Sequence, residues 1–247
     1  MFVLLPPSET KRDGGAAGSL ELASLRFPHL AGERRSVLDA VAELSLDVAA
    51  ASAALGLGPT QAAEIDRNRG IPSAPLMPAI ERYTGVLYDG LEAAQLTAGE
   101  RDWVDRHVLI NSALFGLIGA GDAIPAYRLS HDSRLPGLPL KKHWRGSLGS
   151  VLAAEPGLLL DLRSESYAAL GPLPKRDDAV YLRVVTQTAT GQKKALTHFN
   201  KKGKGVFVRQ LAAAGLDHGS VDDLLAWASA SGIRLDRGAP GELELTV

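Results

Sequence analysis

Hydroxyl and charged side chains crowd the first loop of the sequence, where Ser8, Glu9, Thr10, Lys11 and Arg12 follow the apolar run Phe2–Leu5 and the pair Pro6-Pro7. Polar groups just beyond a strand are placed to converge on a pocket, because the strand fixes them while the loop leaves them accessible. Ser112, Tyr127, Arg128, Ser164, Glu165 and Tyr167 sit at comparable strand ends and loops further along. Taken as a catalytic set, Glu165 would act as general base, Lys11, Arg128 and Lys202 would hold an anionic substrate, and Tyr127 or Ser112 would donate a proton. The same residues would serve a binding cleft equally well. Tyr127 and Tyr167 are also compatible with core positions whose hydroxyls are satisfied, and Arg128 with a structural ion pair to Asp122 or Glu165. The sequence thus leaves open whether the protein is an enzyme.

A second group of residues has the chemistry to meet phosphate. Lys193, Lys194, Lys201, Lys202, Lys204 and Arg209 concentrate positive charge in one segment, and Lys141, Lys142, His143 and Arg145 surround Trp144 in another. Cations beside an aromatic ring can hold phosphates and stack a base, although a solvated charged surface over a buried Trp144 accounts for either patch alone. Lys204-Gly205 ahead of an apolar helix suggests an anion site, but no Walker loop is present. Gly56-Leu57-Gly58-Pro59-Thr60-Gln61-Ala62-Ala63-Glu64-Ile65 has the form of the hairpin and second helix of a helix-hairpin-helix element. Gly56 and Gly58 would permit a tight turn with outward N–H groups, and the helix start near Thr60 would add its positive end. Arg67 and Arg69 follow closely. In the competing reading Gly56 simply caps one helix and Pro59 starts the next.

Composition removes several chemistries. Without a cysteine there is no disulfide framework, thiolate nucleophile or Cys-ligated metal cluster. His29, His107, His131, His143, His198 and His218 show none of the H-x-x-x-H or H-E-x-x-H spacings, so neither a metal nor a cofactor is expected. Lys and Arg number 27 against 28 Asp and Glu, so any nucleic acid must be attracted by a local basic face rather than by the whole molecule. No secretion signal or membrane-length apolar run is visible, which predicts a soluble, cytoplasmic protein without a membrane partner.

The elements that must position these groups are short. Besides Phe2–Leu5, segments 108–110, 158–162, 180–186 and 243–247 have strand length and composition. Apolar spacing predicts a helix over 36–55, a second over 60–65, and others near 147–154, 164–170, 205–214 and 220–230, the last carrying Trp227. Thr97-x-x-Glu100 has the form of a capping box opening a helix to about His107, with Trp103 and Val104 on its buried side. Strands and helices alternate through all 247 residues with no linker or repeat. This predicts one mixed α/β domain over 1–247, with a mostly β core surrounded by helices and a helix-hairpin-helix-like element.

Several blocks in this order resemble the bacterial YaaA family of peroxide stress proteins. Leu4-Leu5-Pro6-Pro7-Ser8-Glu9-Thr10-Lys11 is similar to its opening strand and S-P-A-K-T, with Glu9 at the usual lysine. Tyr83-Thr84-Gly85-Val86-Leu87-Tyr88-Asp89-Gly90-Leu91 resembles F-K-G-D-V-Y-x-G-L. Ile110 to Leu129 follows the family's longest motif, except that Gly119-Ala120 replace Arg-Pro. His143-Trp144-Arg145-Gly146, Leu160 to Tyr167, and Phe199 to Gly205 with Arg209 resemble three later blocks. The resemblance implies a peroxide stress response protein that binds DNA, duplex or distorted and with little sequence preference, and helps to limit intracellular iron and DNA damage. The alternative is an enzyme acting on a nucleotide or other small phosphorylated anion in the same cleft. An iron site finds no support, which makes the family's iron link indirect.

Overall fold

A run as uniformly apolar as Phe2–Leu5 does not alternate, so a strand made from it must be covered on both faces. It is: Val3, Leu4 and Leu5 are fully buried in β1 (Phe2–Leu5). The computed structural model describes residues 1–187, 193–195 and 199–247. After β1 come α1 (Ala31–Leu44), α2 (Val48–Leu55), α3 (Ala63–Arg69), β2 (Met77–Pro78), α4 (Ala79–Arg82), α5 (Val86–Leu91) and α6 (Ala98–His107). The second half contains β3 (Val108–Ser112), β4 (Gly116–Gly119), β5 (Ala123–Ile124), α7 (Leu140–Ala154), β6 (Leu159–Asp161), α8 (Glu165–Ala168) and β7 (Ala179–Gln187). Next are β8 (Lys193–Ala195), α9 (Phe199–Ala214), α10 (Val221–Ala230), β9 (Leu235–Arg237) and β10 (Glu242–Thr246).

The mixed α/β architecture is organised on one sheet in the order β4-β3-β1-β6-β7-β10-β9, with β8 pairing to β7. The five central strands β3, β1, β6, β7 and β10 are mutually parallel, and β4 and β9 close the edges antiparallel. The strand segments expected at 108–110, 158–162, 180–186 and 243–247 all join it. From β1 the chain goes to β3 on one side and later crosses to β6 on the other, so its winding reverses at β1. Open α/β sheets bind ligands beyond the carboxyl ends of the strands at such a reversal.

The helix expected over 36–55 is two helices. Ser45 Oγ donates back to the Val41 carbonyl at 2.7 Å, and Asp47 Oδ1 accepts from the backbone N–H of Ala49 and Ala50 at 2.9 and 3.0 Å, so α1 ends and α2 is capped between them. The capping box at Thr97 and Glu100 is present, and Trp103 and Val104 are buried on α6.

Two helices cross through glycine. A Cβ on Gly205 of α9 would stand 1.9 Å from the Leu87 carbonyl oxygen of α5, and one on Gly90 would stand 2.8 Å from the Lys202 oxygen. Backbone meets backbone there, which brings the start of α9 against the segment 84–91. Likewise Gly116, at φ +65°, leaves room for the Trp144 ring, whose Cζ3 would lie 2.8 Å from an added Cβ.

Candidate functional site

The loops that follow β1 and β6 enclose a hollow of about 400 Å³ at the carboxyl end of the sheet. Its walls are the loop 6–10, the segment 84–88 at the start of α5, Ser130 and His131, Ser164 and Tyr167, and Lys201 of α9. Hydroxyls dominate one side: Thr84 Oγ1 donates to Thr10 Oγ1 at 3.0 Å, which lies 3.3 Å from Ser8 Oγ. Gly85, at φ +100°, turns the chain into α5 with a backbone conformation that side chains rarely adopt, and an added Cβ would stand 3.4 Å from Ser8 Oγ. On the other side the rings of His131 and Tyr167 meet edge to face, 5.1 Å apart. A larger hollow of about 620 Å³ lies at the opposite end of the sheet. Charges there are matched internally, with Arg176 to Asp178 at 2.8 Å and Arg237 to Asp222 at 2.6 Å.

Behind the hydroxyl wall lies Lys11. It is 8% exposed, and its Nζ donates to the carbonyls of Ser8 and Glu9 at 3.0 and 3.2 Å while standing 4.1 Å from the centre of the Tyr127 ring. Burial, reinforced by the nearby Arg128 guanidinium, pushes its pKa down to about 7. The Tyr127 hydroxyl lies between those of Tyr83 and Ser112, 2.7 Å from each, and Ser112 Oγ accepts the backbone N–H of Leu114 and Phe115. Burial raises the pKa of Tyr83, Tyr88, Tyr127 and Tyr167, so these phenols stay protonated.

Arg128 is held from two directions. Asn68 of α3 clamps its backbone, accepting the Arg128 N–H at 2.7 Å and donating to its carbonyl at 2.8 Å, and Glu9 Oε2 accepts from Nη1 at 2.9 Å. The Nε of Arg128 is buried without a hydrogen-bond partner among the described residues. Beneath the site, Arg163 donates to both carboxylate oxygens of Asp161 at 2.8 and 2.6 Å and to Asn111 Oδ1 at 2.6 Å, tying β6 to β3. Among the described residues no group of three or more His, Asp or Glu converges to hold a metal ion.

Of the residues singled out from sequence, Ser8, Thr10, Lys11, Ser112, Tyr127, Arg128, Ser164, Tyr167 and Lys201 gather at this end of β1, β3 and β6. Glu165 does not join them: it is exposed and pairs with Arg183 at 3.3 Å. Tyr127 and Ser112 belong to the buried hydroxyl chain, and Arg128 pairs with Glu9, not with Asp122 or Glu165. Lys202 is exposed beside a separate groove lined by Val206 and Val247. Lys204 is a correction to the surface reading. It is 4% exposed and donates to the carbonyls of Leu162 and Arg163, and burial lowers its pKa to about 8. Arg209 is also engaged, donating to the Leu91 and Glu92 carbonyls at the end of α5.

Trp144 is fully buried, its indole donating to the Ala113 carbonyl at 2.9 Å, so it offers no stacking face. Lys141, Lys142 and Arg145 are exposed on α7. At the expected hairpin, Gly56 is left-handed and caps α2, while Pro59 opens a single 3₁₀ turn containing Thr60. The N–H groups of Leu57 and Gly58 bond to the Ser52 carbonyl and Gln61 Oε1, and Arg67 and Arg69 pair with Asp13 and Asp66. His198 and the side chains of Lys193 and Lys194 lie outside the described residues. Sequence reasoning missed Tyr83, Thr84, Tyr88, Ser130 and His131 as site residues. The first three sit inside a block already notable for its glycines, and only its packing against α9 reveals them.

Compared with known proteins, residues 1–237 match the family model described as peroxide stress protein YaaA. The chain belongs to this family. Relatives include a UPF0246 protein of Corynebacterium efficiens, 39% identical over 254 residues and covering 100% of both chains. Another from Streptomyces coelicolor is 42% identical over 219 residues, covering 87% of this chain and 84% of its own. The two departures from the YaaA pattern fall at opposite ends of the sheet. Glu9 lines the pocket and engages Arg128. Gly119 pairs with Leu109 near the start of β3, and Ala120 follows it there, remote from the pocket. No helix among the described residues is long and apolar enough to cross a membrane.

Proposed function

We propose that this YaaA-family protein serves the peroxide stress response by binding DNA, duplex or distorted and with little sequence preference, across the face where the parallel strands end. Through that binding it helps to limit DNA damage and intracellular iron, and DNA as partner implies a cytoplasmic location. The supporting observation is a set of exposed cations, Lys141, Lys142, Arg145, Lys201 and Lys202, none in an ion pair among the described residues. Helix α7 ends just before β6 begins, so its first turn with Lys141 and Lys142 lies toward the carboxyl ends of the strands. Lys201 rims the pocket there. Cations free of carboxylates can neutralise phosphates and release counterions even though the whole chain carries a formal charge of −1.

Fluorescence anisotropy with duplex, bubbled and single-stranded DNA over a salt series tests this. Lys201→Glu with Lys202→Glu should weaken binding about tenfold or more, and the log–log salt slope should flatten by about 0.9 for every phosphate that is no longer neutralised. Unchanged affinity in both this pair and a Lys141→Glu/Lys142→Glu pair contradicts the reading. Lys204 is left intact because it is buried. A second reading, a nucleotide or other small phosphorylated molecule as substrate, is favoured by the enclosed 400 Å³ hollow, which suits one nucleotide better than a duplex. Competition of a nucleoside monophosphate with DNA, together with turnover, would single it out.

A further inference from the structure

We propose that Lys11 is an imine-forming lysine, its amine condensing with the aldehyde of an open-chain sugar phosphate that enters the pocket between the loop after β1 and the start of α5. The sugar is either free or the abasic deoxyribose of a DNA strand. The two sources share one reactive unit, so the inference goes beyond the DNA reading and survives without it.

Three features of the geometry carry it. Lys11 has no ion pair among the described residues, and its only hydrogen-bond acceptors are the Ser8 and Glu9 carbonyls. The charges facing it are Arg128 and Arg67 on one sign and Glu64 and Glu9 on the other, with Tyr83 and Tyr127 beneath. A lysine desolvated beside other cations keeps a neutral, nucleophilic amine near pH 7. Second, Ser8 and Glu9, whose carbonyls hold the amine, themselves line the pocket, so Nζ stands directly behind its wall. Third, the pocket suits a sugar phosphate: the hydroxyls of Ser8, Thr10, Thr84, Ser130 and Ser164 match a polyol, and Lys201 offers a cation to its phosphate. The Tyr127 ring face that accepts an ammonium also accepts a protonated imine.

The step balances without an oxidant or reductant. The Nζ lone pair adds to the aldehyde carbon, the carbonyl pair moves to oxygen, and one amine proton is transferred there. Loss of that oxygen with the second amine proton as water leaves C=N between Nζ and the sugar.

The wild-type protein is incubated with cyanoborohydride and either 2-deoxyribose 5-phosphate or a duplex carrying one abasic site, and adducts are mapped by peptide mass spectrometry. Lys11 should carry the reduced adduct at least about tenfold over any other lysine at neutral pH, because exposed lysines remain protonated there. Adduct at Lys11 from either source supports the inference and names the source. Unmodified Lys11 with both, or labelling spread over exposed lysines such as Lys141 and Lys142, overturns it. Thr84→Trp places a bulky ring on the pocket wall and should abolish the adduct while circular dichroism stays unchanged. Persistent labelling in that variant overturns entry through the pocket. DNA anisotropy on the same preparations reports separately, so a failure of the DNA reading leaves the free-sugar result standing.

Discussion

A lysine buried without an ion pair among the described residues makes stability depend on pH in a definite direction. The folded-state pKa of Lys11, about 7, lies below the ordinary 10.5, so between those values the unfolded chain binds the extra proton. Stability contributed by this group therefore rises from about pH 7 toward pH 10, and its burial cost is greatest below pH 7. Denaturant midpoints of Lys11→Met should lack that share of the rise, and at pH 6 the variant should gain on the wild type by on the order of a few kcal/mol. An identical pH profile for both proteins would refute the burial argument. Tyr127→Phe removes the middle of the Ser112–Tyr127–Tyr83 chain, taking the partner from the buried Tyr83 hydroxyl and one of three from Ser112 Oγ, which should cost about 1–3 kcal/mol in urea unfolding. Glu9→Gln breaks an ion pair whose carboxylate is 63% exposed, so it should change stability by less than about 1 kcal/mol. At this scale sequence named most of the groups but not their exposure. Lys201, Lys202 and Lys204 look alike in a basic run, yet only Lys204 turns inward to the carbonyls closing β6: Lys202 lies on the opposite face of α9, and Lys201, on the same side one turn earlier, reaches the pocket rim instead.

At the scale of elements, the crossing of α5 and α9 fixes the pocket, since it brings Lys201 to the segment bearing Thr84 and Tyr88. Gly205→Ala forces a methyl into the Leu87 carbonyl and should cost about 1–3 kcal/mol or more. Gly146→Ala, exposed in the middle of α7 with nothing within 4 Å, should instead stabilise by about 0.5–1 kcal/mol. Thermal melts of the two variants moving in opposite directions would establish that close helix approach, not glycine itself, sets the first effect. Elements with local signals were legible: β1 from its unbroken apolar run, α6 from its capping box. The break of 36–55 at Asp47 was not, because the apolar period runs through it and only the cap hydrogen bonds end it. The Gly56–Pro59 segment supports two readings, because the left-handed Gly56 cap and the turn at Pro59 are common to a plain helix connection and to a hairpin between two helices. Its following helix contributes through Asn68, which no motif marks.

For the whole molecule, topology decides where the chemistry lies. Sequence showed an α/β alternation but not that β6 would cross β1 to pair on its far side. That reversal joins loops more than a hundred residues apart into one pocket and leaves the larger hollow at the other end with matched charges. The central claim is that the strand-end face, and not the Gly56–Pro59 turn or the opposite hollow, is where the protein meets its ligand. Hydrogen–deuterium exchange with and without bubbled DNA tests it most directly. The account predicts new protection at residues 6–11, 84–88, 128–131, 164–167 and 200–204. Protection confined to 56–61, or to 176–180 and 237–243, would contradict it.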